Sequence, residues 1–320
     1  MNSGGQAPQA APENSSGSGA PRDSLGSGAP RQGAVFAAAL VAVVFFALTA
    51  PLTRAITPQM DPVLLGMRPA PAALVAVPLI IIFRLKGPGD AYGWLLLAIS
   101  AACSFLAFPL LFTLGQARTS ATHGALIQAA MPIFTGLAAA IVDRRRPGGF
   151  WWLGAALAFA GEGVLVFFRD QGPAREASLE GDLLILLASA LSASAYIAGA
   201  RLAQRISALN ATLWCVGAAG LAVFPFAAVR AVAVPWSSFG WGVWASIVTL
   251  CYGPMLLAFI AWFWALAKGG VRRVAVFQFL VPPLSVLISV VFLGERLTLP
   301  LVVAMTAIFG GIALARRVKP

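Results

Sequence analysis

Ten stretches of this chain run for about twenty residues with few or no charges, and nothing constrains its fold more: 34–53, 63–83, 91–114, 119–142, 150–168, 181–200, 211–229, 240–267, 274–293 and 297–315. An apolar segment of about twenty residues crosses the hydrocarbon of a bilayer as a helix, because the helix bonds its own backbone where no water can. The rest of the composition agrees. Charged residues make up 10% of the 320 and apolar residues 59%, where a soluble domain carries about 25% charged residues. The expected fold is therefore all-α and integral to the membrane, with ten transmembrane helices. Pro69, Pro71 and Pro78 interrupt the second run, as bilayer helices tolerate.

Residues 1–33 are rich in Gly, Ser, Pro and Ala and carry GSGAPR at 17–22 and again at 26–31. They read as a disordered tail. The run that follows is longer than a signal-peptide core and is expected to stay as a membrane span. The net charge is +11, and its placement tells why. With the N-terminus inside, fifteen Lys and Arg fall in cytoplasmic connections, Arg144, Arg145 and Arg146 among them, against six on the other side. The positive-inside rule then puts both termini in the cytoplasm of a bacterial inner membrane. Topology accounts for the basic excess. No soluble module exists to carry a nucleic-acid-binding face, so no nucleic-acid partner is expected.

Cys103, Cys215 and Cys251 lie inside apolar runs without CxxC spacing, and His123 is the only histidine. Neither disulfides nor a zinc or other metal site is indicated. No phosphate-binding loop, G-x-S-x-G or H-E-x-x-H occurs, so ATP hydrolysis and proteolysis lack an apparatus and no cofactor is called for.

Displacing the sequence by 150 residues superimposes parts of its two halves without a gap. Ala125 falls on Ala275, Gln128 on Gln278, Pro132 on Pro282, Phe159 on Phe309 and Gly161 on Gly311. Each half holds five runs, an odd number, so corresponding spans cross in opposite senses. The expected architecture is two inverted five-helix repeats, 34–168 and 181–315, joined by a loop at 169–180, closed by a basic tail at 316–320 and arranged around a central cavity. Secondary carriers of this kind bind solute near the midplane between the halves.

Several motifs then come together: Asp61-Pro62 followed by Arg68, A-L-I-Q-x-x-x-P at 125–132, V-F-Q-F-L-V-P-P-L at 276–284, and Leu293-Gly294-Glu295-Arg296 before the Gly310-Gly311 helix. In this combination the chain resembles the drug/metabolite transporter superfamily, and within it the ten-helix EamA-type proteins of bacteria. The resemblance covers nearly everything after residue 33. It implies movement of a metabolite or drug, commonly export, with the substrate varying across the family. One departure is that Arg144-Arg145 stands in the first half where the second has Gly294-Glu295, so no role of that glutamate carries over to Arg145.

The candidate binding residues follow from position. Gln128 and Gln278 lie four residues before a proline in matched places, where a midplane site is expected; the alternative is hydrogen bonding between helices. Arg68 lies about five residues inside its span, where an arginine is costly unless paired or wetted. It either captures an anion or carboxylate, or snorkels to the interface, or pairs with Asp61. Thr49, Ser104, Ser192, Tyr196, Tyr252 and Trp262 fall on polar or aromatic stripes at helical spacing, which line a cavity or pack the bundle. Glu162 and His123 are the candidates for proton coupling, against the plainer reading of structural hydrogen bonds. The expected partners are a small-molecule substrate, the lipid bilayer and protons. Glycine-bearing faces on the fifth and tenth runs would let these helices pack on each other or on a second copy, giving a homodimer. An amino acid or related metabolite leads as substrate and a cationic drug follows. A membrane-embedded lipid-modifying enzyme and a non-transporting scaffold are the competitors from other classes.

Overall fold

The computed structural model describes Met1 and residues 32–142, 148–167, 178–269, 274–294 and 297–315. The tail repeats, the Arg144–Arg146 cluster, Glu295-Arg296 and residues 316–320 lie outside the described residues, as does the side chain of Glu162. Regular structure among the described residues is entirely helical. The helices are α1 (Gln32–Ile56), α2 (Pro62–Ile82), α3 (Ala91–Gln116), α6 (Leu179–Ile206), α7 (Ala208–Val232) and α8 (Trp241–Gly269). Between and after these come α4, in two pieces (Ala121–Gln128 and Met131–Val142), α5 (Gly149–Phe167), α9 (a 3₁₀ turn Ala275–Leu280 running into Val281–Leu293) and α10 (Leu299–Ala315). The first six named are long and apolar enough to cross a membrane.

Capping side chains fix where several of these helices start, by accepting a bond from an otherwise orphaned backbone N–H. Asp61 accepts from Val63, Asp90 from Gly93, Ser120 from His123, Ser178 from Gly181 and Ser207 from Asn210. At the far end of α9, Gly294 closes the helix with φ +68°, a left-handed cap that glycine adopts without steric cost.

The interior is largely apolar but encloses a set of polar side chains, and the outer surface is apolar as well. Ile81, Ile82, Phe83, Phe167, Phe226, Val229, Val232 and Phe292 are exposed, while Arg68, Gln116, His123, Asp182 and Gln278 are buried. Such an exterior suits lipid as its solvent.

Packing follows a pattern. Helix α2 lies against α7, α5 against α10 and α4 against α9; α6 packs on α3 and α4, and α1 packs on α8 and α9. Exchanging every helix for the one five places away maps this set onto itself. The α5–α10 contact shows the exchange at single residues. A Cβ on Gly161 would meet the Ala304 carbonyl of α10 at 2.9 Å, and one on Gly311 would meet the Gly154 carbonyl of α5 at 2.4 Å. Only glycine allows backbones to approach so closely.

Two ends of the bundle carry ion pairs. At one, Asp61 pairs with Arg230. At the other, Arg205 donates to Asp90 at 2.6 Å and stacks over Tyr92, and its guanidinium holds the Asp90 carboxyl below the ordinary carboxylate range.

A cavity at the breaks of three helices

The helices that matter to the interior are broken where the sequence denies them donors. Pro69 and Pro71 lack backbone N–H groups, and α2 kinks through a turn at Met67 and Arg68. Helix α4 ends its first piece at Gln128 and resumes at Met131 ahead of Pro132, and α9 begins as a 3₁₀ turn containing Gln278 ahead of Pro282 and Pro283. Helices α3 and α8 each contain a π-helical stretch, Ala101–Ala107 before Pro109 and Gly253–Ala258 around Pro254. A proline removes one ladder bond and clashes with the carbonyl four residues back, and a π turn relieves that conflict.

Arg68, Gln128 and Gln278 thus stand at three helix breaks, and all three line one central cavity with Thr49, Tyr196 and the rings of Phe46, Phe108 and Phe259. The cavity is narrow, about 30 Å³, room for about two waters. Gln278 donates to Met131 Sδ at 3.7 Å, and the Tyr196 hydroxyl lies against Gln278 and Ser192. Among the described lining residues no acid occurs.

Arg68 is the unusual member. It is 2% exposed, and one nitrogen, Nη1, donates to Thr113 Oγ1 at a long 3.5 Å. Nε and Nη2 are buried without a hydrogen-bond acceptor. The Asp61 pairing left open by the sequence is not made, because Asp61 caps α2 and binds Arg230 instead. A buried guanidinium with two idle donors is strongly disfavoured unless an anion completes it.

Arg68 also lines a second, larger pocket of about 360 Å³, bounded by α2, α7 and α8 and including Trp236, Trp244 and Tyr252. It therefore stands between the narrow cavity and a roomy apolar groove toward the Asp61 end.

The other candidates are placed differently. Tyr252 lines the groove, its hydroxyl donating to the Pro71 carbonyl at 3.2 Å. The π turn that follows it breaks the 3.6-residue register, so Tyr252 does not share the cavity face of Met255 and Phe259. Trp262 is fully buried against Phe46, with ring centroids 6.2 Å apart, and does not line the cavity. Ser104 and Ser192 face each other across α3 and α6 with their Oγ atoms 3.3 Å apart, a bond between packed helices rather than a wall of the cavity. His123 is buried at the start of α4. Sequence reading found it no partner, and the structure supplies one, Asp182 of α6, its Oδ1 3.1 Å from His123 Nδ1. Asp182 is not among the sequence candidates; it stands in the first turn of α6, and its partner lies 59 residues away.

A membrane protein with polar side chains gathered at helix breaks around a central cavity is built as a solute carrier. The comparisons agree. The model of the EamA-like transporter family matches residues 33–167 and again 179–317, and the chain belongs to that family. It is 26% identical over 283 residues to the "Uncharacterized transporter YdeK" of Bacillus subtilis, covering 87% of this chain and 95% of that one. Over 144 residues it is 34% identical to the "Uncharacterized transporter YcxC" of the same species, covering 42% and 45%. A "Probable terminal-alkyne amino-acid exporter" of Streptantibioticus cattleyicolor is 25% identical over 200 residues, covering 62% and 65%. A solved structure described only as "Crystal structure of protein" shares the fold, with a TM-score of 0.59 at 21% identity over 89% of this chain and 96% of that one.

Proposed function

We propose that the chain is a secondary transporter for a small amino acid or related carboxylate, exporting it across the bacterial inner membrane by alternating access. The observation that carries this reading is Arg68. A buried cation with two unused donors, set between a tight cavity and an open groove, is completed by a carboxylate passing from one to the other. Thr49, Tyr196, Gln128 and Gln278 offer neutral acceptors for an ammonium group, and the Phe46, Phe108 and Phe259 rings suit an apolar side chain. A cationic drug fits less well, since the described lining residues offer Arg68 and no acid.

Ten spans with both termini cytoplasmic, arranged as two inverted repeats, account for the exchange symmetry of the helix contacts and for the matched π turns in α3 and α8. The narrow cavity beside a wide groove fits a conformation closed around the site and open toward the Asp61 end. The exporter named among the relatives supports an amino-acid substrate and the outward direction. Membership of a transporter family and the transporter-named relatives support a carrier over an enzyme.

Counterflow in proteoliposomes tests the reading. Purified protein loaded with unlabelled amino acids is expected to accumulate labelled amino acid saturably, with apolar side chains preferred. Exchange of cationic dyes with no amino-acid exchange would overturn it.

A further inference from the structure

A second polar cluster lies beside the cavity, and transport as described so far gives it no task. Thr113, Gln116, Thr119, His123 and Asp182 are all buried. Thr119 Oγ1 stands 3.2 Å from His123 Nδ1 and donates to Asp182 Oδ1 at 3.3 Å, and His123 Nδ1 lies 3.1 Å from the same oxygen. Gln116 donates to the Ser120 carbonyl at 2.7 Å. Thr113, one helical turn before Gln116, is the residue that meets Arg68. Buried polar side chains thus recur at Thr113, Gln116 and Thr119 between the proposed carboxylate site and the histidine–aspartate pair, with Gln116 bonded to the Thr119 and Ser120 carbonyls.

Fastening α4 to α6 does not require ionisable groups. Ser104 and Ser192 join α3 to α6 with hydroxyls alone. A buried His–Asp pair carries a desolvation cost that such a tie avoids. It also leaves Asp182 Oδ2, and nearby Gln116 Oε1, buried without a donor. Ionisable side chains in this setting mark proton or substrate pathways.

We propose that His123 and Asp182 together form the proton-binding site of this transporter, taking up and releasing one proton in step with solute movement past Arg68. The step involves no other bond. A proton from water adds to the pair, is shared between the imidazole and the carboxyl, and returns to water. The elements packed around the pair bring few other charges. Helix α1 brings Arg54, which donates to the Ala117 carbonyl, and the end of α3 brings Arg118, which binds Glu180 of α6 at 3.5 Å. Helices α9 and α10 bring no titratable side chain within their described lengths, and α5 brings Glu162, whose side chain is outside the described residues. The proposal rests on the transport reading for its coupling, but the proton site itself can be tested without a substrate.

His123 is the only histidine, so ¹⁵N-histidine labelling reports one site in the full chain, provided purification uses a tag without histidine. In lipid nanodiscs the ring nitrogen signals are expected to change when the pH is varied, and Asp182→Asn is expected to alter that response. A ring that ignores pH, or a response that Asp182→Asn leaves unchanged, overturns the proposal. In proteoliposomes, a pH gradient should change the rate of wild-type transport. In His123→Asn and in Asp182→Asn the rates with and without the gradient should become equal, while exchange at equal pH persists. Gradient sensitivity that survives in both variants overturns the proposal, as does its absence from a wild-type protein that exchanges substrate. If the wild type exchanges no amino acid at equal pH, the substrate reading has failed, and the ring titration alone decides for the proton site.

Discussion

Asp61 is bonded to Arg230, 169 residues further along the chain, and not to Arg68, which follows it by seven residues on the next turns of the same span. The nearer pairing would have neutralised Arg68 and closed the site. The Asp61–Arg230 pair is half-exposed at the rim, where such a pair contributes about 0–1 kcal/mol. Arg230→Ala should therefore lower the thermal stability of the detergent-purified protein only slightly and leave amino-acid exchange intact. Loss of exchange in a folded Arg230→Ala protein would show that the rim pair does more than hold α7 against the start of α2.

Gln278 presents one neutral amide to the cavity. A neutral hydrogen bond contributes about 1 kcal/mol, or about a fivefold change in affinity. Gln278→Leu should raise KM for the preferred amino acid by about that factor with little change in maximal rate, measured by concentration-dependent counterflow. Gln128→Leu should act in the same way.

Ser104 and Ser192 are assigned to helix packing. A double-mutant cycle with alanine at both positions, followed by thermal unfolding, should return a coupling of about 0.6 kcal/mol, the average for such bonds between membrane helices. KM should stay at the wild-type value in all three variants. A KM that rises in either single variant would put these hydroxyls in the binding site after all.

The α5–α10 contact depends on Gly161 and Gly311. Gly161→Leu would drive a side chain against Ile308 and the Ala304 carbonyl, with a cost of about 1–3 kcal/mol from overpacking. Cys215 and Cys251 are buried and not in disulfides, so a thiol-reactive dye reports unfolding, and its transition should move to lower temperature. Gly163→Leu, where a Cβ meets nothing within 4 Å, should leave the transition in place.

Much of this could be read in the sequence. Long apolar runs located the helices because the requirement to bond every backbone group in lipid leaves few alternatives. The matched prolines located the helix breaks, and with them Gln128 and Gln278, because a missing N–H acts locally. What depended on register or on long-range pairing could not be read. An unbroken 3.6-residue period would put Tyr252, Met255, Phe259 and Trp262 on one face, but past the π turn at Gly253–Ala258 Tyr252 lines the groove, Met255 and Phe259 line the cavity, and Trp262 is buried against Phe46. Asp182 was overlooked because an acid in a first helical turn is ordinary there. Arg68 is costly by position alone, but that Asp61 is bonded to Arg230 and not to it is a long-range pairing that only the fold shows.

Carboxylate recognition by Arg68 is the central claim, and one comparison tests it most directly. Counterflow of the preferred amino acid and of the amine that lacks only its carboxylate should be measured in wild type, Arg68→Lys and Arg68→Gln. Charge-assisted hydrogen bonds contribute about 1.5–3 kcal/mol, so Arg68→Gln should reduce amino-acid exchange by about tenfold or more. Arg68→Lys should retain part of it, and the amine should be carried poorly by the wild type. Equal transport of acid and amine, or full amino-acid exchange in a well-folded Arg68→Gln protein, would contradict the account.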